Sequence, residues 1–207
     1  MASDINSDQN EENGGNQLFP VFLKLNELHT VLIGAGNVGL EKLTAILNNS
    51  YSATVTVIAR EVLPEVYQLS DNFAGVNILQ KSFEPADLDI ADIVVAATDN
   101  SELNRQIRQA AKARKLLINV ADKPDLCDFY LGSVVKKGDL KLGISTNGKS
   151  PTVAKRIKEV LNASLPDELD ITLQQLNDLR NSLTGDFAYK VKELNRITAM
   201  LSATDKK

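Results

Sequence analysis

The chain has little sulfur, little histidine and no tryptophan, and these scarcities exclude several classes of function. Of its 207 residues, one is a cysteine, Cys127, and one is a histidine, His29. A single cysteine cannot form an internal disulfide framework, so we expect a protein of the reducing cytoplasm. We interpret Cys127 as a small buried hydrophobic residue. Because no cysteine cluster accompanies His29, we expect no structural zinc site and assign no metal ligands.

Long apolar runs and an excess of positive charge are also missing. No stretch approaches the roughly 20 apolar residues that span a bilayer, so we expect no membrane segment. The N-terminus lacks a basic segment followed by an apolar core, so no secretory signal is expected. The formal net charge of −4 does not favour general nucleic-acid binding. The 43% hydrophobic and 24% charged residues are typical of a globular protein.

Patterning divides the chain into four regions. Residues 1–16 are polar and acidic with no cation, which predicts a disordered tail. Strands and helices alternate over residues 17–124, which predicts a Rossmann-like, doubly wound parallel sheet (an α/β fold). A hairpin and a helix over 125–165 form a predicted dimerisation and substrate region. The C-terminal helical domain, 166–207, has two amphipathic helices whose apolar stripes suit a core or a subunit contact.

The expected elements follow from apolar runs and from helix start and stop signals. Asp99 or Asn100 is the expected cap of the third helix, and Ser150 the expected N-cap of the helix at Pro151. Strands are predicted at 31–33, 54–58, 76–79, 92–98, 116–120, 133–135 and 140–144, and helices at 40–47, 62–73, 101–114, 151–163, 167–183 and 186–202.

The most informative motif is a glycine turn between the first strand and the first helix. Its residues Gly34, Gly36 and Gly39 have the spacing G-x-G-x-x-G. In this context the first glycine permits a tight turn, the second lets a pyrophosphate approach the backbone, and the third lets helix pack on strand. The helix start then presents free N–H groups to the anion. The alternative is a Rossmann domain that has lost its nucleotide.

Ligands of open α/β sheets bind beyond the carboxyl ends of the strands, which points to Thr98 and Asp99 after strand four and to residues 119–122 after strand five. Asp122 could accept a proton or orient a substrate N–H there, or it could be an ordinary turn aspartate. At the end of strand two, Glu61 could bind the ribose hydroxyls, whereas Arg60 could favour a 2′-phosphate. These residues leave NAD and NADP both open.

A second anion-friendly segment lies after the hairpin. The run from Ser145 to Pro151 combines hydroxyls, a glycine, Lys149 and a helix N-terminus. Seven cations against the single anion Asp139 suggest a small polyanionic ligand, although a solvated face explains them equally well. The cations are Lys136, Lys137, Lys141, Lys149, Lys155, Arg156 and Lys158.

Together these segments resemble the precorrin-2 dehydrogenase family, the dehydrogenase/chelatase module of siroheme synthases. The resemblance covers residues 18–165, and the last two of its segments in series are specific to this family. The segments are Leu18-Phe19-Pro20-Val21-Phe22, the Gly34–Gly39 turn, Ala97-Thr98-Asp99, Asn119-Val120-Ala121-Asp122-Lys123-Pro124 and Ser145-Thr146-Asn147-Gly148-Lys149-Ser150-Pro151.

The resemblance implies a homodimer that oxidises precorrin-2, a tetrapyrrole, to sirohydrochlorin with NAD. It places Asn37, Val38, Arg60 and Glu61 at the NAD site and makes Asp122 the essential acid/base. The loop residues Ser145, Asn147, Lys149 and Ser150 become candidates for substrate binding, and Ser150 is a serine that some relatives phosphorylate. Some relatives also insert iron into the product. The alternative is a nucleotide-sensing regulatory module without catalysis.

Overall fold

The computed structural model describes residues 15–167 and 169–198. Most of the predicted tail, 1–16, therefore lies outside the described residues. The described chain packs into two compact units. The first is Phe19–Leu131, and the second combines residues 15–18 with residues 132–167 and 169–198. No helix of the described segments is both long enough and apolar enough to cross a membrane.

The first unit is a five-stranded parallel sheet in the order β3-β2-β1-β4-β5, which confirms the predicted doubly wound fold. Its elements are β1 (His29–Ala35), α1 (Asn37–Asn49), β2 (Thr54–Val62), α2 (Pro64–Ser70), β3 (Val76–Gln80), a 3₁₀ helix (Pro85–Leu88), β4 (Ile93–Ala96), α3 (Ser101–Ala113), β5 (Leu117–Val120) and a second 3₁₀ helix (Pro124–Leu126).

The sheet is buried on both faces because its central strands are almost continuously apolar. Along β1, Val31 and Ile33 belong to one core cluster, whereas Leu32 and Ala35 belong to the other. This alternation is the two-residue period of a strand, with each face covered. After β3 the chain returns to the other side of β1, so β1 and β4 flank the topological switch point where such sheets bind ligands.

The described residues of the second unit form an antiparallel hairpin and three helices. Its elements are β6 (Ser133–Lys137), β7 (Leu140–Ile144), α4 (Pro151–Ser164), α5 (Leu169–Ser182) and α6 (Phe187–Thr198). At the hairpin turn, the Asp139 N–H donates to the Asp170 carboxylate at 2.8 Å, and Lys137 forms an ion pair with Asp167. Within their described parts, α5 and α6 bury no residue completely.

Several boundaries differ from the sequence-based expectations. The helix predicted at 62–73 begins at Pro64, because β2 continues to Val62 through an irregular register opposite Gly34. Strand β4 is shorter than predicted and ends at Ala96. Asn100, not Asp99, caps α3, with its side chain accepting from two backbone N–H groups. Residues 125–131, which the sequence groups with the hairpin, pack with the sheet unit.

Candidate functional site

The glycine turn has the three features that a pyrophosphate-binding turn requires. Gly34 adopts φ +104°, and a Cβ there would lie 2.3 Å from the Ala97 carbonyl oxygen. A Cβ on Gly39 would lie 2.2 Å from the Gly34 carbonyl oxygen, so α1 packs tightly on the turn. A Cβ on Gly36 would meet no atom within 4 Å. Gly36 therefore leaves open space above an exposed backbone, where phosphates can approach.

Two of the helices that begin at this edge of the sheet, α1 and α3, differ in how the N–H groups of their N-termini are satisfied. Helix α3 is capped by Asn100 and carries Glu102 in its first turn. Helix α1 follows Gly36 with no side-chain cap and no acidic residue in its first turn. Its first N–H groups and its dipole are therefore available to an anion, whereas those of α3 are already compensated.

A cleft of about 900 Å³ opens at the carboxyl ends of the strands in the sheet unit. This volume lies in the usual range for small-molecule sites. Nine of the predicted site residues line it: Gly34, Gly36, Asn37, Val38, Arg60, Glu61, Thr98, Asp99 and Asp122. Gly39 lies beneath the turn, and Ser145, Asn147, Lys149 and Ser150 belong to the other unit.

The loop after β4 is closed by a pair of hydrogen bonds that sequence reasoning missed. The Thr98 hydroxyl donates to the Asn104 side-chain oxygen at 2.7 Å, and the Asn104 amide donates to the Thr98 carbonyl at 3.0 Å. Asn104 is almost fully buried, although it lines the cleft floor. An asparagine on the apolar face of α3 is the sequence signal, because buried amides need partners.

Asp122 stands in an unusual backbone conformation on the turn after β5. The Lys123 N–H donates to the Val120 carbonyl at 3.2 Å, and Asp122 adopts φ +57°. This left-handed region is unfavourable for most side chains, and such outliers concentrate at functional sites. The carboxylate is exposed, and no described residue donates a hydrogen bond to it. It is therefore free to meet a ligand in the cleft.

Cys127 holds this turn through its thiol. The Sγ atom accepts from the Val120 N–H at 3.2 Å, and it lies 3.2 and 3.3 Å from the carbonyl oxygens of Val120 and Lys123, to either of which the S–H can donate. Burial raises the pKa of the thiol, which keeps it protonated. Cys127 thus satisfies backbone groups at both ends of the Asp122 turn, which the interpretation as a packing residue alone did not foresee.

The segment after Cys127 is fastened to β5 and α3. Asp128 forms a bidentate ion pair with Arg108, and the Ile118 N–H also donates to its carboxylate. The Arg108 guanidinium lowers the pKa of Asp128 below its usual range. The Asn119 amide donates to the Phe129 carbonyl at 2.9 Å, so Asn119 holds this segment and does not line the cleft.

The serine-rich loop of the second unit, residues 145–150, forms a tight turn before α4. Asn147 and Gly148 both have positive φ, and the Lys149 N–H donates to the Thr146 carbonyl at 3.0 Å. The Ser150 Oγ accepts from the Val153 N–H at 3.2 Å, which confirms Ser150 as the N-cap. Lys149 is exposed.

The charges of the basic stretch, residues 136–158, are partly compensated by ion pairs in the structure. Arg156 pairs with Glu159, and Lys137 pairs with Asp167, an acid that follows the stretch in sequence. Lys136 and Lys141 also have interaction partners. The surplus of cations is therefore smaller than the sequence count indicates. No described group of histidine, cysteine and acidic residues could hold a metal ion, and His29 contacts the Thr56 hydroxyl at 2.8 Å.

Comparison with protein families gives two matches. Residues 21–133 match the family model described as "Putative NAD(P)-binding", and residues 137–164 match that of the sirohaem biosynthesis protein central region. The fold is similar to that of the solved structure of SirC, a precorrin-2 dehydrogenase, with a TM-score of 0.68 and 24% identity. That match covers 87% of this chain and 89% of the SirC chain.

Curated relatives are siroheme synthases. That of Pseudoalteromonas atlantica is 32% identical over 86% of this chain and 35% of its own length. Siroheme synthase 1 of Cronobacter sakazakii is 36% identical over 74% of this chain and 32% of its own length. The chain thus spans about a third of these relatives. With more than half of its residues inside the first family model, the chain belongs to this NAD(P)-binding family and is related to part of the siroheme synthases.

Proposed function

We propose that the chain catalyses the NAD-dependent dehydrogenation of precorrin-2 to sirohydrochlorin in siroheme biosynthesis. One observation carries the proposal. A single cleft is lined both by the glycine turn, which leads into the uncapped N-terminus of α1, and by Asp122, whose backbone has a positive φ and whose carboxylate is unpaired. The names of the matching siroheme synthases and of SirC support this substrate, as does the sirohaem-region match.

The residues of the cleft fit a nicotinamide dinucleotide. The backbone at Gly36 and the first N–H groups of α1, at Asn37 and Val38, would bind the pyrophosphate. Arg60 and Glu61 at the end of β2 would bind the adenosine ribose. Bound NAD supplies an acceptor for hydride. The open space above Gly36 and the uncompensated helix start are the observations that make the fit.

Asp122 is proposed as the acid/base. Removing two hydrogens from precorrin-2 releases a hydride and a proton, and the Asp122 carboxylate would accept that proton or hold a pyrrole N–H. The carboxylate is available for either task because no described residue forms a hydrogen bond or an ion pair with it. Thr98 and Asp99, on the neighbouring loop, would orient the reacting end of the ligand.

The serine-rich loop is proposed as the site for substrate carboxylates, of which precorrin-2 has eight. Ser145, Asn147, Lys149 and Ser150 combine a cation with a helix N-terminus. The Ser150 oxygen already caps α4, so its hydroxyl hydrogen is free to be donated to a carboxylate.

We further propose that the protein acts as a cytoplasmic homodimer. Val153, Ile157 and Val160 follow one another on one face of α4 and expose 49%, 42% and 63% of their surface. Apolar residues aligned in this way suit a contact with a second copy. The single cysteine, a free thiol, suits a reducing compartment.

The proposal is tested by mixing purified protein, precorrin-2 and NAD while NADH absorbance is followed. Sirohydrochlorin and NADH should form in equal amounts. Nucleotide binding without turnover would favour the regulatory module instead, and no uptake of NAD or NADP would reject the redox assignment. Adding Fe²⁺ or Co²⁺ to the finished reaction then tests for metal insertion into the product.

A further inference from the structure

A charged group forms the wall of the cleft at the ends of β2 and β3. Arg60 and Glu61 lie just before Val62, the last residue of β2, and Lys81 follows β3; all three line the cleft. Ala59 of β2 pairs with Gln80 of β3, and Arg60 and Lys81 each follow one member of this last pair in the sequence. The Gln80 amide donates to the Arg60 carbonyl at 3.1 Å, which fixes the two strand ends together.

The Lys81 ammonium is committed to two acids of the following 3₁₀ helix. It lies 2.7 Å from the Asp87 carboxylate and 3.4 Å from that of Glu84. The other Asp87 oxygen accepts from the Glu84 N–H at 2.8 Å, and the Asp87 side chain is only 11% exposed. Leu88, fully buried in the core, anchors the same helix. The hydrogen bond to Asp87 raises the pKa of Lys81, so the pair remains charged.

We propose that Asp87, by holding the ammonium of Lys81, makes the cleft select NAD over NADP. The inference rests on the nucleotide site of the proposed function. The two cofactors differ by a 2′-phosphate dianion, which binds beside the end of the second strand. A lysine without a partner at this wall would attract that phosphate, but the charge of Lys81 is already compensated by its ion pair with Asp87.

The balance of charge at the wall supports this selection. Arg60, Lys81 and Glu61 line the wall, and the acids Glu84 and Asp87 pair with Lys81 without lining the cleft, so two cations stand with three anions. These five groups have a net charge of −1, which repels the 2′-phosphate dianion of NADP. The ribose hydroxyls of NAD are uncharged, and they can donate hydrogen bonds to Glu61.

The first test is Asp87→Asn, with NAD and NADP dissociation constants measured by calorimetry. Asparagine still accepts from the Glu84 N–H, so the short helix is retained, while Lys81 loses its 2.7 Å partner and keeps only the more distant Glu84. We expect NADP affinity to rise about 5- to 20-fold relative to NAD, because one negative charge is removed next to a dianion. The gain should shrink in high salt, which screens such interactions.

A matched control is Asp89→Asn. Asp89 caps the C-terminal end of the same 3₁₀ helix and pairs with Arg114 at 2.7 Å, and no ion pair among the described residues joins it to Lys81. The change alters the total charge equally and should leave the NAD-to-NADP ratio unchanged. The double variant Lys81→Ala/Asp87→Asn restores the wall to its original net charge, so its ratio should return close to that of the unmodified protein.

Each outcome bears on the inference. An equal ratio in Asp87→Asn and Asp89→Asn would overturn it, as would a gain that persists undiminished in the double variant. An unmodified protein that prefers NADP would overturn the selection but leave the dehydrogenase proposal standing. Binding of neither nucleotide would overturn both.

Discussion

The two units of the chain bury their apolar residues to very different extents. In the sheet unit, strands and helices enclose two continuous clusters, one on each face of the sheet. In the described part of the second unit, Val135 and Ala154 are the buried apolar residues, whereas Ile171 and Phe187 expose 59% and 75% of their surface. The sheet unit therefore closes its own core, and the second unit offers apolar faces that a single copy leaves uncovered.

This difference indicates which unit each part of the proposed function depends on. The glycine turn, the loop after β4 and the Asp122 turn all belong to the sheet unit, which encloses its own core. We therefore expect their geometry to form without a partner. In the proposed homodimer, burial of the apolar faces of the second unit would stabilise that unit. Changes in the sheet unit should alter chemistry or folding, and changes on α4 should alter assembly.

The largest effect is expected for Asp122→Asn. The change removes the proposed acid/base and should lower the turnover of precorrin-2 by about 10²–10⁴-fold. Asparagine tolerates the left-handed conformation at this position, so the melting temperature and NAD affinity should stay unchanged. Steady-state kinetics beside a thermal melt separate the two. Turnover at the original rate would remove Asp122 from the chemistry.

Gly34→Ala should cost the sheet unit about 3 kcal/mol or more of unfolding free energy, because a Cβ would strike the Ala97 carbonyl at a positive φ. Gly36→Ala is the matched control, since Gly36 has φ −82° and open space around it. It should leave stability nearly unchanged yet weaken NAD binding, because its methyl group occupies the phosphate approach. Urea unfolding and calorimetry distinguish them. Equal stability losses would contradict this account of the turn.

Much of the sheet unit could be predicted from the sequence because its signals are local. Apolar runs specify its five strands, and in the second unit Ser150-Pro151 specifies the start of α4. The errors arose where tertiary contacts override a local signal. Val62 looks like the start of a helix, but it lies at the end of β2 opposite the irregular register around Gly34. Asp99 and Asn100 are both good caps, and only the structure shows Asn100 in that role.

The supports of the site were less predictable than its lining. The cleft residues follow from strand ends, a rule of the fold, and nine of them were named in advance. Cys127 and Asn104 act through contacts with residues that the sequence does not pair with them. The basic stretch was overestimated for the same reason, since Asp167 lies beyond the window in which its charges were counted.

Val160→Lys tests the uncovered face of α4. Placing a charge on an apolar contact should weaken dimerisation at least about tenfold, because a buried unpaired charge is costly. Asn162→Lys, exposed on the opposite side of the helix, adds the same charge and should leave the dimer intact. Light scattering over a concentration series measures both. A monomeric unmodified protein, or equal effects of the two changes, would reject α4 as the contact.

Cys127→Ala should destabilise the sheet unit by about 1–3 kcal/mol, because the buried Val120 N–H loses its hydrogen-bond acceptor. Cys127→Ser keeps a donor and an acceptor at the same site and should recover part of that loss. Urea denaturation of the two variants gives the comparison. If serine and alanine were equally destabilising, the thiol would be acting through packing alone.

The smallest effect is expected in the second unit, where unpaired and paired cations differ. Lys149 has no ion-pair partner within the described segments, whereas Arg156 is held by Glu159 at 2.7 Å. Lys149→Ala should raise the KM for precorrin-2 about three- to tenfold with little change in kcat, because a carboxylate contact is lost from binding alone. Arg156→Ala removes the same charge from an exposed pair and should change KM less. An unchanged KM in Lys149→Ala would move the substrate carboxylates away from the serine-rich loop, and a fall in kcat alone would assign Lys149 to the transition state instead.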